Sequence, residues 1–203
     1  SLFEINDIPY SGSDAYALNL TLNKLHTKII AEYLKIPTPT YCKIDCMDDV
    51  QMAIKSVKGP WILKPNYEGS SSGVMLANSE EQLKQVFLKL SAEYQQTLLC
   101  ENYIDGREFT VALLYDGEGM DQEKVAEIVR FINTEKPVEG KKNIGIFSAE
   151  DKYSDTCTKI PAILHEDIIN SMEEDAKKLH QFLECHDYSR IDYRVDSDGK
   201  YYL

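Results

Sequence analysis

The chain has 203 residues and 43% hydrophobic content, which is enough to bury a sizeable core in one large domain or two small ones. A net charge of -12 and a pI near 4.8 argue against a surface for nucleic acid or for anionic membranes. Lysines that lie near glycines are therefore expected to meet a small phosphate ligand.

The sequence shows no signal peptide, and no apolar run approaches the roughly 20 residues of a membrane helix. Its five cysteines are odd in number and form no Cys-x-x-Cys pair, which is typical of reduced thiols in a cytoplasmic protein. Cys42, Cys46, Cys185 and His186 form a zinc ligand set only on paper, so we expect no metal-thiolate centre.

The first 35 residues predict two helices. Residues 10–14 supply a turn and an N-cap, and an apolar stripe then recurs at intervals of three and four residues. The stripe consists of Leu18, Leu22, Leu25, Ile29 and Tyr33. We expect most of it to lie in the core, with a break between the helices near Asn23. Residues 36–41 then read as an extended linker, and residues 48–57 as a short helix.

Residues 61–74 are predicted to begin as a short apolar strand with Lys64 near its end and to continue as a loop of glycine and serine. Gly69 and Gly73 permit positive φ values, which let backbone N–H groups converge on an anion, and the serines add hydroxyl donors. The loop differs from a Walker loop because its lysine precedes the glycines. On composition alone, phosphate binding and a flexible surface turn remain equally open.

Short strands alternate with helices in the rest of the chain, which favours an α+β fold of two lobes joined near Gly106. The expected strands are 74–76, 98–104, 108–115, 125–132, 144–147, 189–195 and 200–203, and the expected helices start at Glu80 and span 167–185. Four charged residues suit a nucleotide site: Lys64, Glu101, Glu108 and Asp192. Each also has a bland explanation, as a strand-end charge or as part of a surface ion pair.

Seven segments resemble, in order and spacing, the D-alanine:D-alanine ligase family of the ATP-grasp superfamily. They are residues 8–13, 22–28, 63–74, 101–111, 152–155, 160–162 and 190–192. The resemblance covers nearly the whole chain. It implies the ATP-grasp fold, with nucleotide between two α+β lobes, and a division into residues 1–22, 23–105 and 106–203. The first part would end an N-terminal domain, and the other two would be the central and C-terminal ATP-grasp subdomains.

The resemblance also implies roles for single residues. Lys24 and Lys64 match phosphate-contacting lysines, and Glu68, Ser70 and Ser71 belong to the segment that matches the mobile serine loop. Glu101, Tyr103 and Ile104 match the adenine hinge, and Glu108 matches the ribose carboxylate. Ser70 lies near the position of the first substrate, and Lys152 matches the lid lysine on the nucleotide. Arg190 matches the arginine that steadies a tetrahedral intermediate, and Asp192 matches an Mg²⁺ ligand.

The reaction implied by the resemblance is the ATP-dependent joining of a carboxylate to an amine through an acyl phosphate. It further implies a cytoplasmic enzyme of peptidoglycan synthesis that binds ATP, Mg²⁺ and amino acids, forms a homodimer at full length and binds neither nucleic acid nor membrane. The chain starts at Ser1 and stops at Leu203 before the family's Glu-x-Asn metal ligands. We therefore expect it to be a fragment that is inactive by itself.

Two departures keep other functions open. The segment before Lys152, residues 146–151, differs from the family's aromatic segment, which is rich in Tyr and Asp, and Asn23 replaces the usual aspartate before the first lysine. One alternative is an ATP-grasp ligase for other amino acids or peptides. The other is a nucleotide-binding module without turnover.

Overall fold

The computed structural model describes residues 1–115, 123–133 and 157–203. Its helices are α1 (Leu2–Ile5), α2 (Ala15–Leu22), α3 (Lys24–Tyr33), α4 (Met47–Ser56), α5 (Glu80–Tyr94) and α6 (Glu166–Phe182). Its strands are β1 (Tyr41–Ile44), β2 (Trp61–Pro65), β3 (Met75–Ala77), β4 (Leu98–Asn102), β5 (Gly106–Tyr115), β6 (Glu123–Asn133), β7 (Cys157–Pro161), β8 (Tyr188–Asp196) and β9 (Tyr201–Tyr202).

The first sheet has the strand order β1-β4-β2-β3, and every neighbouring pair is antiparallel. Helices α4 and α5 pack against it, and apolar residues from both helices meet strand residues such as Leu63 and Leu98 in one core. Lys64 lies next to Leu63 and is only half-buried, because successive side chains of a strand point to opposite faces. The core therefore fixes β2 so that the side chain of Lys64 lies on the opposite face of the sheet, away from the core.

The second sheet has the order β7-β6-β5-β8-β9, again with antiparallel neighbours. Helix α6 covers one face, where Met172 and Ala176 pack with Phe109, Val111 and other strand residues. Ala31 of α3 and Ile36 of the linker join this core. Helix α3 therefore packs with the second sheet, although it precedes the first sheet in the chain.

Most of the predicted elements are confirmed within a few residues. Asn23 caps α3 through a hydrogen bond from the His26 amide, and Ser79 caps α5 through one from the Gln82 amide. Residues 103–105 connect β4 of the first sheet to β5 of the second. The predicted strand 144–147 lies outside the described residues.

The prediction of a buried apolar stripe on α2 and α3 is wrong. Four of the five stripe residues are exposed, namely Leu18, Leu22, Ile29 and Tyr33. The solvent-exposed fraction is 45% for Leu22 and 73% for Tyr33. The buried positions of these helices are Ala17, Lys28 and Ala31. The stripe residues do recur with the period of a helix, but the rest of the protein packs against another side of α2 and α3.

Within the described ranges, no helix is long and apolar enough to cross a membrane.

Candidate functional site

A cleft of about 600 Å³ is lined by residues from both sheets and by the glycine-serine loop. This volume is in the usual range of small-molecule sites. Nine residues that the sequence predicted for the site line the cleft together: Lys24, Lys64, Glu68, Ser70, Ser71, Glu101, Glu108, Arg190 and Asp192.

The first lysine of the cleft, Lys24, is held by the junction of α3 and the end of β2. The buried side chain of Asn66 donates to Asn23 Oδ1 at 2.9 Å and accepts from the Leu25 amide at 2.9 Å. The Lys24 ammonium donates to the main-chain carbonyl of Glu68 and, at 3.3 Å, to that of Asn66. Asn66 therefore ties the start of α3 to the loop and positions Lys24 beside it.

The second lysine, Lys64, forms an ion pair with the carboxylate of Glu101 on the neighbouring strand β4. Glu101 is 4% exposed and also pairs with Lys28, whose Nζ lies 2.5 Å from Glu101 Oε1. Lys64 and Leu99 are register partners, so Lys64 and Glu101 lie on adjacent strands two positions apart. A buried carboxylate between two ammonium groups thus forms the floor of the cleft.

Burial raises the pKa of Glu101, but the ammonium groups of Lys28 and Lys64 outweigh burial and hold this pKa at about 2. Burial, aided by the charge of Lys64, lowers the pKa of Lys24 to about 8. Burial likewise lowers the pKa of Lys28 to about 8, against the attraction of Glu101. At neutral pH the carboxylate and these two ammonium groups are therefore all charged.

The glycine-serine loop closes one side of the cleft. Ser70, Ser71 and Gly73 have φ values of 50°, 61° and 69°, and the Ser72 amide donates to the Gly69 carbonyl at 2.9 Å. Ser72 Oγ lies 3.0 Å from the hydroxyl of Tyr94 on α5. The positive φ values turn the chain sharply, and turns of this kind can bring successive backbone N–H groups together to bind an anion.

The opposite wall of the cleft is one face of the β5–β8 pair. Cross-strand partners place Glu108 beside Arg194 and Thr110 beside Asp192. Arg194 Nη1 donates to Glu108 Oε1 at 2.6 Å, and Thr110 Oγ1 donates to Asp192 Oδ1 at 2.7 Å. The alternation of an antiparallel ladder brings these side chains to one face, while Phe109 and Tyr193 are buried.

Asp192 and Arg190 lie on the same exposed face, with Arg190 Nε 3.2 Å from Asp192 Oδ1. Among the residues that the structure describes, no group of three or more His, Cys, Asp or Glu side chains could hold a metal ion. A single exposed carboxylate nevertheless fits Mg²⁺, which binds proteins through one or two carboxylates and completes its shell with water and phosphate oxygens. Asp192 therefore suits Mg²⁺ that arrives with a phosphate ligand.

Two of the predicted site residues, Tyr103 and Ile104, are not among the described residues that line the cleft. Tyr103 and Ile104 follow β4, where the Tyr103 amide donates to the Pro60 carbonyl at 2.8 Å and the Tyr103 ring lies 5.4 Å from the Arg194 guanidinium. Lys152 lies outside the described residues. The roles of all the predicted site residues, including those that line the cleft, stay predictions.

Sequence reasoning missed four residues that organise the cleft: Lys28, Asn66, Thr110 and Arg194. A signal existed for two of them. Lys28 follows Lys24 by four positions and therefore lies on the same side of α3, and Thr110 follows Glu108 by two positions on one strand face. Nothing local indicates that Asn66 bonds to Asn23 or that Arg194 pairs with Glu108.

Comparisons with known proteins identify the family to which the chain is similar. A family model for the C-terminus of D-ala D-ala ligase matches residues 30–203. The D-alanine–D-alanine ligase of Aquifex aeolicus is 33% identical over 202 residues, which are 100% of this chain and 63% of the relative.

Solved structures of D-alanine–D-alanine ligases are also similar to this chain. The crystal structure of a D-alanine–D-alanine ligase from Bacillus anthracis has a TM-score of 0.75 at 25% identity and is matched over 99% of this chain and 61% of that one. The ligase from that organism complexed with ATP has a TM-score of 0.72 at 23% identity, over 99% and 60% of the two chains. The predicted α+β fold of the ATP-grasp type is confirmed, and the chain spans about three fifths of the length of these relatives.

Proposed function

The chain belongs to the D-alanine–D-alanine ligase family, whose C-terminal part it matches, and we propose that the protein joins two molecules of D-alanine at the expense of ATP. One observation carries the proposal. Lys24, Lys64 and the glycine-serine loop line the same cleft as Glu108, Arg190 and Asp192, so groups for phosphate, ribose and reacting carboxylate share one cavity.

The oligophosphate of ATP would lie between the two lysines and the loop. The Lys24 ammonium is charged at neutral pH, because its pKa is about 8. The ion pair with Glu101 holds Lys64 in place, and the loop amides add hydrogen-bond donors. Glu108 is held by Arg194 and would accept from the ribose hydroxyls. Adenine would lie against residues 101–104, as the predicted roles of Glu101, Tyr103 and Ile104 require. Lys152, which is not among the described residues, would contact the nucleotide.

Asp192 would hold Mg²⁺ together with the phosphate oxygens of the nucleotide. The ion supplies neutralisation of phosphate charge when it is bound. Thr110 orients the Asp192 carboxylate through its hydroxyl, and Arg190 lies within ion-pairing distance on the same strand face. This arrangement keeps a positive guanidinium beside the place where negative charge would develop.

In the proposed reaction, the carboxylate of the first amino acid attacks the γ-phosphorus of ATP, and the bond to ADP breaks. The amine of the second amino acid then attacks the resulting acyl phosphate, so that an amide forms and phosphate and a proton leave. Arg190 would stabilise the negative charge of the tetrahedral intermediate, and Ser70 would orient the first substrate. The protein would act mainly by positioning and by neutralising charge.

The setting of the activity is part of the proposal. We propose a cytoplasmic enzyme of peptidoglycan synthesis that acts as a homodimer at full length and does not bind nucleic acid. The division at residues 22/23 and 105/106 into an N-terminal end and two ATP-grasp subdomains also remains a proposal. It draws support from the position of residues 103–105 between the two sheets.

The test is phosphate release from ATP and Mg²⁺ by the full-length protein, with D-alanine, L-amino acids and dipeptides offered in turn. We expect release that depends on D-alanine, and Lys64→Met should lower ATP affinity by about tenfold or more without unfolding the protein. Lys89→Met removes an exposed lysine of α5 and is the matched control. Release with another amino acid would make the protein a ligase of different specificity, and ATP binding without release would make it a binding module.

A further inference from the structure

Lys28 is a buried lysine that does not line the cleft but lies directly behind it. Its side chain is 7% exposed, and its ammonium pairs with Glu101 at 2.5 Å. It also donates to the Leu203 carbonyl at 2.9 Å and to the hydroxyl of Thr38. Burying an ammonium is costly unless a carboxylate compensates it, so Lys28 and Glu101 depend on each other.

Glu101 has two cationic partners, and only one of them faces the cleft. Lys64 is 21% exposed at its side chain, whereas Lys28 is enclosed by α3, β4, the linker and the chain end. The cluster of Lys24, Lys28, Lys64 and Glu101 holds three ammonium groups and one carboxylate, which leaves a net charge of two positive. If Lys28 were neutral, Glu101 would cancel the charge of Lys64 and leave a net charge of one.

We propose that Lys28 is a positioning residue that balances Glu101 from behind, so that the charge of Lys64 stays available to an oligophosphate in the cleft. The inference rests on the proposed function insofar as the cleft takes the phosphates of ATP. Lys28 acts through Glu101 and does not touch the ligand. The loss of its charge would weaken binding of phosphate groups in particular, because only those groups are attracted by the net charge.

A different explanation is that Lys28 only braces the fold through Thr38 and Leu203. Glu101→Gln frees Lys64 of its carboxylate under either explanation, so Lys28→Met and the double variant separate the two. If Lys28 balances charge, Lys28→Met lowers the net charge of the cluster to one and weakens oligophosphate binding, and the added Glu101→Gln restores it. If Lys28 is only a brace, Lys28→Met lowers stability and leaves the oligophosphate affinity of the folded protein unchanged.

The experiment measures the affinity of inorganic tripolyphosphate and of adenosine for the wild type, Lys28→Met, Glu101→Gln and the double variant. Lys28→Met should weaken tripolyphosphate binding by about tenfold, whereas Glu101→Gln, which removes the carboxylate that offsets Lys64, should not weaken it. The double variant retains two ammonium groups and should bind nearly as the wild type does. Adenosine carries no phosphate, so its affinity should stay within about twofold in Lys28→Met. Glu101 belongs to the predicted adenine hinge, so the variants that replace it are compared by tripolyphosphate alone. Lys89→Met controls for the overall change in protein charge.

Equal tripolyphosphate affinity in the wild type and Lys28→Met would overturn the inference, as would a wild type that does not bind tripolyphosphate. A double variant that does not regain the affinity lost in Lys28→Met would also overturn it. If Lys28→Met alone does not fold, much weaker tripolyphosphate binding by the double variant than by the wild type overturns it. The proposed function has a separate test, because phosphate release that D-alanine does not stimulate would exclude the proposed activity as a D-alanine ligase. A pattern of tripolyphosphate affinities that follows the cluster charge would still support the role of Lys28.

Discussion

Thr110 donates a hydrogen bond of 2.7 Å from its hydroxyl to Oδ1 of Asp192, its direct partner on the neighbouring strand. Thr110 is buried, whereas Asp192 is exposed on the cleft side of the sheet. A buried donor therefore fixes the orientation of the carboxylate that we propose as the ligand of Mg²⁺. Such partners raise the affinity of metal ligands that they orient.

Thr110→Val should raise the Mg²⁺ concentration needed for half-maximal ATP-dependent phosphate release by about three- to tenfold. Stability should fall by about 1 kcal/mol, because one hydrogen bond is lost. Thr97→Val is a matched control, since Thr97 also donates at 2.7 Å to an aspartate, Asp45, outside the cleft. An identical Mg²⁺ dependence in both variants would show that Thr110 does not orient the ligand.

Binding of ATP should weaken as the pH rises from 7 to 9. Burial lowers the pKa of Lys24 to about 8, so its ammonium loses its proton in this range, and a bound phosphate favours the protonated form. One such group accounts for about a tenfold loss of affinity. Lys24→Arg keeps its charge at pH 9 and should show a smaller loss. Titration calorimetry at several pH values measures the effect, and unchanged slopes in the variant would contradict it.

Acid should destabilise the protein partly through Glu101. Its pKa is about 2 in the folded state against 4.5 ordinarily, so the stabilisation is complete above pH 4.5 and is lost as the pH falls through 2. Its full size is about 3 kcal/mol, of which about 2 kcal/mol is lost by pH 3. Urea unfolding at pH 6 and pH 3 should show that Glu101→Gln loses less stability than the wild type by this amount. Equal losses would mean that Glu101 is not held ionised by its lysines.

The glycine-serine loop offers a paired test of its geometry. A Cβ added at Gly73 would lie 2.6 Å from Cγ of Pro65, and the φ of +69° disfavours any side chain, whereas nothing lies within 4 Å of a Cβ at Gly69. Gly73→Ala should therefore cost about 1–3 kcal/mol of stability and weaken ATP binding, and Gly69→Ala should do neither. Thermal unfolding and nucleotide titration compare the two variants. The proposed loop geometry would be wrong if both alanines were equally tolerated.

Local patterns in the sequence determined much of the fold. Asn23 and Ser79 have side chains that cap the next helix by themselves, and the alternation around Lys64 and Glu108 needs only the period of a strand. The serine loop could be placed because glycine and serine disfavour continuation of the β2 strand. These features depend on residues within a few positions of one another, which is why sequence reasoning found them.

The tertiary structure alone decided the long-range relations. Leu18, Ile29 and Tyr33 form a helical stripe, yet they are exposed, and Lys28 is buried in their place. Burial of Lys28 is stable only because Glu101, 73 residues further along the chain, lies across from it on β4. Helix period shows which residues share a face, but the identity of the partner across that face depends on how distant segments pack. The sequence by itself therefore determined most of the elements and the position of the glycine-serine loop, and the tertiary structure determined how a buried carboxylate and its lysines build the floor of the cleft.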